Sequence, residues 1–354
     1  MAKFTELAAM NSNPLQPLSD LGEFGLIERL SNNFPLTNKS SLIGIGDDAA
    51  LLDFKNKQVL VSTDMLVEGI HFDITYTPLK YLGFKACTVN FSDVVAMGGK
   101  PTQILVSMAL SNRYTVQAID DLYEGIKRAC LDYEVDLVGG DTTSSTSGLI
   151  LNITVLGDVY LDHAIGRNGA KPNELLVVSG DLGSAFMGLQ VLEREKMVFK
   201  STENQPDLSH YSYILNRLLK PEARFNILET FKKIDLLPTS MIDISDGLSS
   251  EALHLSQKSN VGMVIYEEKL PIAEETFMAC EEFRLNASTI ALNGGEDYEL
   301  LFTIPLSEKD KVKDHPFFTI IGHTQEAEKG NIFVTNVGQQ LELIAQGWNS
   351  FQNK

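Results

Sequence analysis

Six short segments of this chain set acidic side chains beside glycine or small hydroxyl residues, a combination suited to holding hard cations. They read GIGDDAALL (residues 44–52), STDMLVEGIHF (62–72), VNFSDVVAMGG (89–99), VGGDTTSS (138–145), MIDISDG (241–247) and NGGEDYEL (293–300). Carboxylates repel one another, so a fold that gathers them needs positive charge at the centre. A cluster of divalent ions supplies it, and the reason to hold such ions is phosphate, whose oxygens they bridge to carboxylates. Each segment alone has a plainer account. Gly-Asp is common in turns, Ser-Thr-Asp is also a helix N-cap signature, and Ser245 or Asp246 could cap a helix that follows MIDISDG. Their recurrence, mostly after an apolar strand, points instead to one shared site, because ligands collect at the carboxyl ends of strands in α/β sheets.

The familiar phosphate-binding loops do not occur. Gly98-Gly99-Lys100-Pro101 is the nearest approach to a lysine loop and its spacing is wrong; no G-x-G-x-x-G follows a strand, and there is no kinase catalytic loop or H-E-x-x-H. Nucleotide binding here must rest on metal ions and glycine backbone. Gly139 and Gly140 let the backbone approach a ligand, and Asp141, Thr142 and Thr143 offer hard oxygens.

The elements that must position these groups alternate between helix and strand. A helical stripe fills residues 22–34. Residues 59–63 form a short buried strand ending at Asp64. Pro78 opens a helix that stops at Gly98-Gly99. Strands at 104–110, 135–138 and 149–159 flank a helix at 116–133. The polar, Gly- and Pro-containing segment 162–174 marks a domain boundary. Beyond it come strands at 175–179, 240–244, 262–266 and 298–304, and helices at 183–194, 211–219, 221–231 and 248–259. Such alternation in both halves predicts two α/β units, residues 21–161 and 162–354, behind a loose tail of residues 1–20.

Composition narrows the partners. With 354 residues, two domains are the default. A net charge of −18 excludes a nucleic-acid backbone as partner, which would need Lys and Arg. The same charge would repel ATP unless the aspartates carry Mg2+. No apolar run approaches the ~18 residues of a membrane span, and the start does not read as a signal peptide. Three scattered cysteines, Cys87, Cys130 and Cys280, suit a reducing, cytoplasmic setting and buried thiols.

In this order and spacing the six segments, with IGRNGAKP (165–172), resemble the thiamine-monophosphate kinase family, within the aminoimidazole ribonucleotide synthetase-like superfamily. The resemblance runs from about Gly22 to Gly347-Trp348, leaving aside the N-terminal tail and a variable insertion at 199–210. It implies a two-domain α/β (α+β type) fold whose N-terminal sheet pairs across a homodimer. It also implies transfer of the γ-phosphoryl group of ATP to thiamine monophosphate, giving thiamine diphosphate, with several Mg2+ ions. By motif position, Asp48, Ser62, Thr63, Asp64, Asp93, Asp141, Asp243 and Asp246 would hold metal, with Asp64, Asp93 and Asp246 at the chemistry. Tyr123, Gly140, Asp141, Arg167 and Ser245 would lie against ATP, and His71, Glu296 and Trp348 against the thiamine phosphate. Several of these residues also carry structural readings. His71 fits a core histidine, Tyr123 lies on the apolar stripe of its helix, Trp348 could simply pack, and Glu296 could hold a metal instead. A related ATP-using enzyme, such as aminoimidazole ribonucleotide synthetase or selenophosphate synthetase, is the alternative function, as is an acidic metal-binding protein without turnover. The chain has no early reactive cysteine of the selenophosphate type.

Overall fold

The computed structural model describes Gln16, Asp20, Leu21, Leu26, Arg29, Leu30 and residues 34–43, 51–161 and 163–347. Asp48 and Trp348 lie outside the described residues. So does most of the expected first helix, of which Leu26, Arg29 and Leu30 are helical.

A small antiparallel pair, β1 (Ser41–Ile43) with β2 (Leu51–Leu52), precedes a four-stranded sheet. That sheet comprises β3 (Lys57–Val67), β4 (Lys100–Leu110), β5 (Asp136–Ser144) and β6 (Leu149–Tyr160), in the order β3-β6-β4-β5. Only β4 and β5 run parallel. Helices α1 (Leu79–Ala96) and α2 (Val116–Tyr133) cover one face. Pro78 stands at the N-cap of α1, where its missing N–H costs nothing. Thr115 caps α2 by accepting the Ala118 N–H at 3.3 Å. The two helices cross closely because Gly83 and Gly125 lie at the contact. A Cβ on Gly83 would stand 2.0 Å from the Leu122 carbonyl oxygen, and one on Gly125 1.9 Å from that of Lys80.

The second sheet has seven strands in the order β13-β12-β9-β11-β7-β10-β8. These are β7 (Glu174–Ser179), β8 (Ser240–Asp243), β9 (Val261–Tyr266), β10 (Leu300–Pro305), β11 (Phe318–Glu326), β12 (Ile332–Val334) and β13 (Gln340–Glu342), antiparallel except between β12 and β9. Its helices are α3 (Ser184–Thr202), α4 (Ser212–Leu219), α5 (Phe225–Lys233), α6 (Leu248–Ser259), α7 (Glu274–Phe283), α8 (Ala287–Asn293) and α9 (Lys309–Val312). One apolar cluster runs through both sheets, from Phe91, Ile104 and Leu151 to Val177, Phe231 and Phe302. Helix α1 lies within this shared core and is buried on nearly every side.

Three expectations need correction. Strand β3 does not end at Asp64; pairing with β6 carries it to Val67, with Asp64 opposite Ile153. Nor is β3 a buried strand. It is a sheet edge whose outward residues Val59, Val61 and Met65 are exposed. Helix α3 extends to Thr202 and takes in the start of the segment read as an insertion.

Candidate phosphate and metal site

Helix α1 positions the site. Its otherwise apolar, buried length carries Lys85, Ser92 and Asp93 at i, i+7 and i+8, which puts them along one stripe. Strand β3 lies alongside with period-2 alternation. Leu60, Ser62, Asp64 and Leu66 share the face toward α1, and Val59, Val61, Thr63 and Met65 the opposite face. Two hydrogen bonds stitch strand to helix. Ser62 Oγ donates to Asp93 Oδ2 at 2.6 Å, and the Asp64 N–H donates to Asn90 Oδ1 at 3.0 Å. From the second sheet, β8 delivers its last residue, Asp243. The carboxylate is buried and its Oδ2 accepts from Ser92 Oγ at 2.6 Å.

Three aspartates thus converge from a strand, a helix and a second strand, and each feels another. Burial, and then the field of Asp93, push Asp64 up to about 6. Solvent still reaches Asp64 in its cleft, so water screens part of that field. Burial also raises Asp93, against the Ser62 hydrogen bond and the Arg167 guanidinium. Asp243 is raised by burial and by Asp93. Ser62, Asp93, Asp243 and Arg167 line one cavity of about 410 Å³, with Lys258 and Asn168 at its edge. A larger cavity of about 880 Å³ opens elsewhere, among Phe34, Lys57, Lys100, Lys127 and Tyr160. None of the expected site residues lines it.

The MIDISDG turn follows β8. Glu251, on α6, accepts at Oε1 from the Ser245 N–H, the Ser245 hydroxyl and the Asp246 N–H at 3.1, 3.2 and 2.9 Å. Burial raises Asp246, with Glu296 adding to the effect and His254 opposing it. The NGGEDYEL loop is zipped against this turn. Glu296 N–H donates to Ser245 O and Tyr298 N–H to Ile244 O, at 2.7 and 2.8 Å. Gly295, Glu296 and Tyr298 all have positive φ, at 71°, 58° and 52°. For Glu296 and Tyr298 this is a strained backbone that the double zip maintains. The buried Tyr298 hydroxyl sits amid the carboxylates, raised by burial and by the fields of Glu296, Asp243, Asp64 and Asp93.

His71 stands beside this loop, its Nδ1 accepting the Val67 N–H at 3.0 Å. Desolvation lowers it, and the fields of Glu296 and Lys85 also reach it, so it is not the isolated core histidine that sequence allows. Ser62, Asp64, Asp93, Arg167 and Asp243 therefore gather on one side, with Ser245, Asp246, His71 and Glu296 adjoining.

Other expected residues stand apart. Asp141 lies in β5, at the edge of the sheet opposite β3. It pairs with Ser107, itself opposite Asn152, which places it on the face away from Asp64. Gly140 is explained by its own sheet, since a Cβ there would stand 1.9 Å from the Val106 carbonyl oxygen. Tyr123 packs edge-on against Phe34, with ring centroids 6.1 Å apart. The Thr63 hydroxyl donates to Ile153 O at 3.1 Å and meets Thr154, on the outer face, leaving its carbonyl as the group available to a metal. Sequence reasoning passed over Lys85, Asn90, Ser92, Glu251 and Tyr298. The signal for the first three was polar residues inside a helix otherwise apolar all round.

Among the described residues, no three His, Cys, Asp or Glu side chains are gathered as a ready-made metal site. The donors nonetheless fit a hard divalent ion. They are all oxygens, and Asp64, Asp93 and Asp243 are raised first by burial, and Asp64 and Asp243 also by Asp93, a cost to their charged forms that a bound cation offsets. All three cysteines are free and buried. No described helix is long and apolar enough to cross a membrane.

Residues 46–159 match the family described as AIR synthase related protein, N-terminal domain. The chain is 37% identical to thiamine-monophosphate kinase of Aquifex aeolicus over 94% of its own length and 99% of that protein. It is 34% identical to the Escherichia coli K12 enzyme of that name, covering 93% and 98%. A solved structure described as AaThiL complexed with AMPPCP and TMP superposes with a TM-score of 0.73 at 35% identity, covering 96% of this chain and all of that one. Hydrogenase maturation protein HypE, at 18% identity and a TM-score of 0.70, shares the fold.

Proposed function

This chain belongs to the thiamine-monophosphate kinase family, and on that premise we propose that it transfers the γ-phosphoryl group of ATP to thiamine monophosphate, releasing thiamine diphosphate and ADP. The observation that carries this reading is the convergence of Ser62, Asp93, Asp243 and Arg167 on one cavity, beside Asp64 and the NGGEDYEL loop. A relative similar over its whole length is described in complex with AMPPCP, a non-hydrolysable ATP analogue, and TMP.

The chemistry asks little of a base. The attacking group is a phosphate oxygen, already anionic near neutral pH, and the obstacle is repulsion between two anions. Asp64, Asp93 and Asp243, with Asp48, Asp141, Asp246, Ser62 and the Thr63 carbonyl, would hold Mg2+, which when bound neutralises phosphate charge. Arg167 offers a fork of donors to a phosphate at the cavity wall. Ser62 and Ser92 fix the rotamers of Asp93 and Asp243 by donating to them. Ser245 and Tyr123 are assigned to ATP, and His71, Glu296 and Trp348 to the thiamine phosphate.

We read the protein as a cytoplasmic homodimer with units at 21–161 and 162–354. The exposed Val59, Val61 and Met65 on the outer face of the four-stranded sheet support a second copy there. Pairing edge β3 of one copy with edge β5 of the other would leave neither edge of the four-stranded sheet open. Incubating the purified protein with ATP, Mg2+ and thiamine monophosphate and resolving the products by chromatography tests the activity. Absence of thiamine diphosphate under conditions where a control kinase works refutes it.

A further inference from the structure

Lys85 is the most deeply placed cation near the site, its side chain only 6% exposed. An ammonium taken out of water costs several kcal/mol unless paired. Its Nζ donates to Glu296 Oε2 at 2.6 Å and to the Leu218 carbonyl at 3.1 Å. One lysine of α1 thus ties the substrate-side loop to α4. Glu296 is held on the other side by its own strained backbone and by the Ser245 carbonyl. Its Oε1 has no hydrogen-bond partner among the described residues, and the side chain is 35% exposed.

Glu296 therefore stands between two possible uses. Its charge reaches Asp246, on the metal side, and His71, on the substrate side. The ammonium decides between them. A carboxylate already bound to a cation is a poor ligand for a divalent ion, which the same ammonium repels. Its open oxygen is still a strong acceptor for a neutral N–H donor. We propose that Lys85 is a positioning residue that keeps Glu296 out of the metal-holding set and turns its open oxygen to N–H donors on the organic half of the substrate. Those donors are an exocyclic amine on a heteroaromatic ring, which rests on the functional reading above.

The test is steady-state kinetics of full-length Lys85→Met, varying thiamine monophosphate, ATP and Mg2+ in turn. Loss of an aimed charge-assisted acceptor raises KM for thiamine monophosphate about tenfold or more, with KM for ATP within about twofold. Calorimetric titration with Mn2+ should also show tighter binding, because Glu296 is released to metal. A KM for thiamine monophosphate within about twofold of wild type, or equal rises for both substrates, overturns the proposal by reducing Lys85 to packing. If wild type makes no thiamine diphosphate, the functional reading falls instead. The Mn2+ titration then judges Lys85 alone: tighter binding in the variant supports the assignment and superimposed isotherms overturn it. Should Lys85→Met not fold, Glu296→Gln decides. A raised KM for thiamine monophosphate with unchanged Mn2+ binding supports the proposal, and weakened Mn2+ binding overturns it.

Discussion

Glu299→Gln should destabilise this protein more than any other single isosteric change in the described charge network. Glu299 is fully buried, accepts three hydrogen bonds and forms an ion pair with Arg217. Ser179 Oγ lies at 2.6 Å, Arg224 Nε at 2.8 Å and an Arg217 terminal nitrogen at 2.9 Å, with a further close bond from an Arg224 terminal nitrogen. The substitution keeps the shape and removes the charge, leaving the buried Arg217 guanidinium and the partly exposed Arg224, which retains Glu222 at 3.5 Å, without their shared partner. Breaking a buried pair in this way costs ~3–5 kcal/mol. The lower end applies here, because Asp297 offers partial compensation. Burial holds Asp297 up at about 7, and the Glu299 charge adds to that. With Glu299 neutral, Asp297 ionises more readily and turns its charge to Arg217. Arg217 keeps its bonds to the Asp181 and Asp297 carbonyls at 3.0 and 3.2 Å, but these are neutral acceptors and its buried Nε lacks a partner. The expected loss is about 3 kcal/mol, or a melting point lower by roughly 5 °C for a chain of this size. Urea and thermal unfolding of the variant beside wild type measure it. A loss below ~1 kcal/mol would refute the reasoning, because the two arginines would then be satisfied without Glu299.

Three further outcomes follow from the site and the fold. Asp93→Asn should lower turnover by about a hundredfold or more at saturating Mg2+ while leaving the melting temperature unchanged or higher, because it removes a like charge from Asp64 and Asp243; near wild-type turnover would remove Asp93 from the metal set. The metal-free protein should melt higher at about pH 5 than at about pH 7.5, with Mg2+ narrowing the gap at the higher pH and doing little at the lower. Asp64 at about 6 and Asp297 at about 7 are raised by the fold, so their contribution is complete below their ordinary 3.8 and is lost as pH rises through 6 to 7. Asp73 works in the other direction: held at about 2 by Lys196 and Thr75 despite its burial, its contribution is present above about pH 4 and lost only toward pH 2. Melting curves that are flat across this range, or equally sensitive to Mg2+ at both ends, would contradict this. Gly125→Ala should cost ~1–3 kcal/mol in chemical denaturation even though alanine is the better helix former, since its Cβ would press on the Lys80 carbonyl; a neutral or stabilising result would mean that the helices can part.

The boundaries of α2 and α6 were legible to the residue, because Thr115, Gly247 and the apolar periodicity all agree. The aspartate segments were legible as a group through repetition. Sequence could not tell that Asp64 sits inside a strand and not at its end, because the ladder to β6 satisfies the backbone whatever side chain it carries. It could not place Asp141 on the opposite sheet edge, since sheet order is a long-range property. Strands β12 and β13 are three residues each, and β13 is exposed throughout, so neither has a pattern to read. Lys85 went unnoticed because a lysine in a helix ordinarily faces water, and only its partner 211 residues away explains its burial.

The central place of helix α1 has a consequence for biosynthesis. Its buried surface is completed partly by Phe231 and Phe302, from strands and helices that leave the ribosome well after it does. About 200 residues separate the end of α1 from β10. At ~5–20 residues per second that is on the order of 10–40 s during which an apolar helix has only its first sheet and α2 for cover. The nascent N-terminal half is therefore the stage at which this chain most needs a holding chaperone, and slowed translation beyond residue 160 should lower its soluble yield.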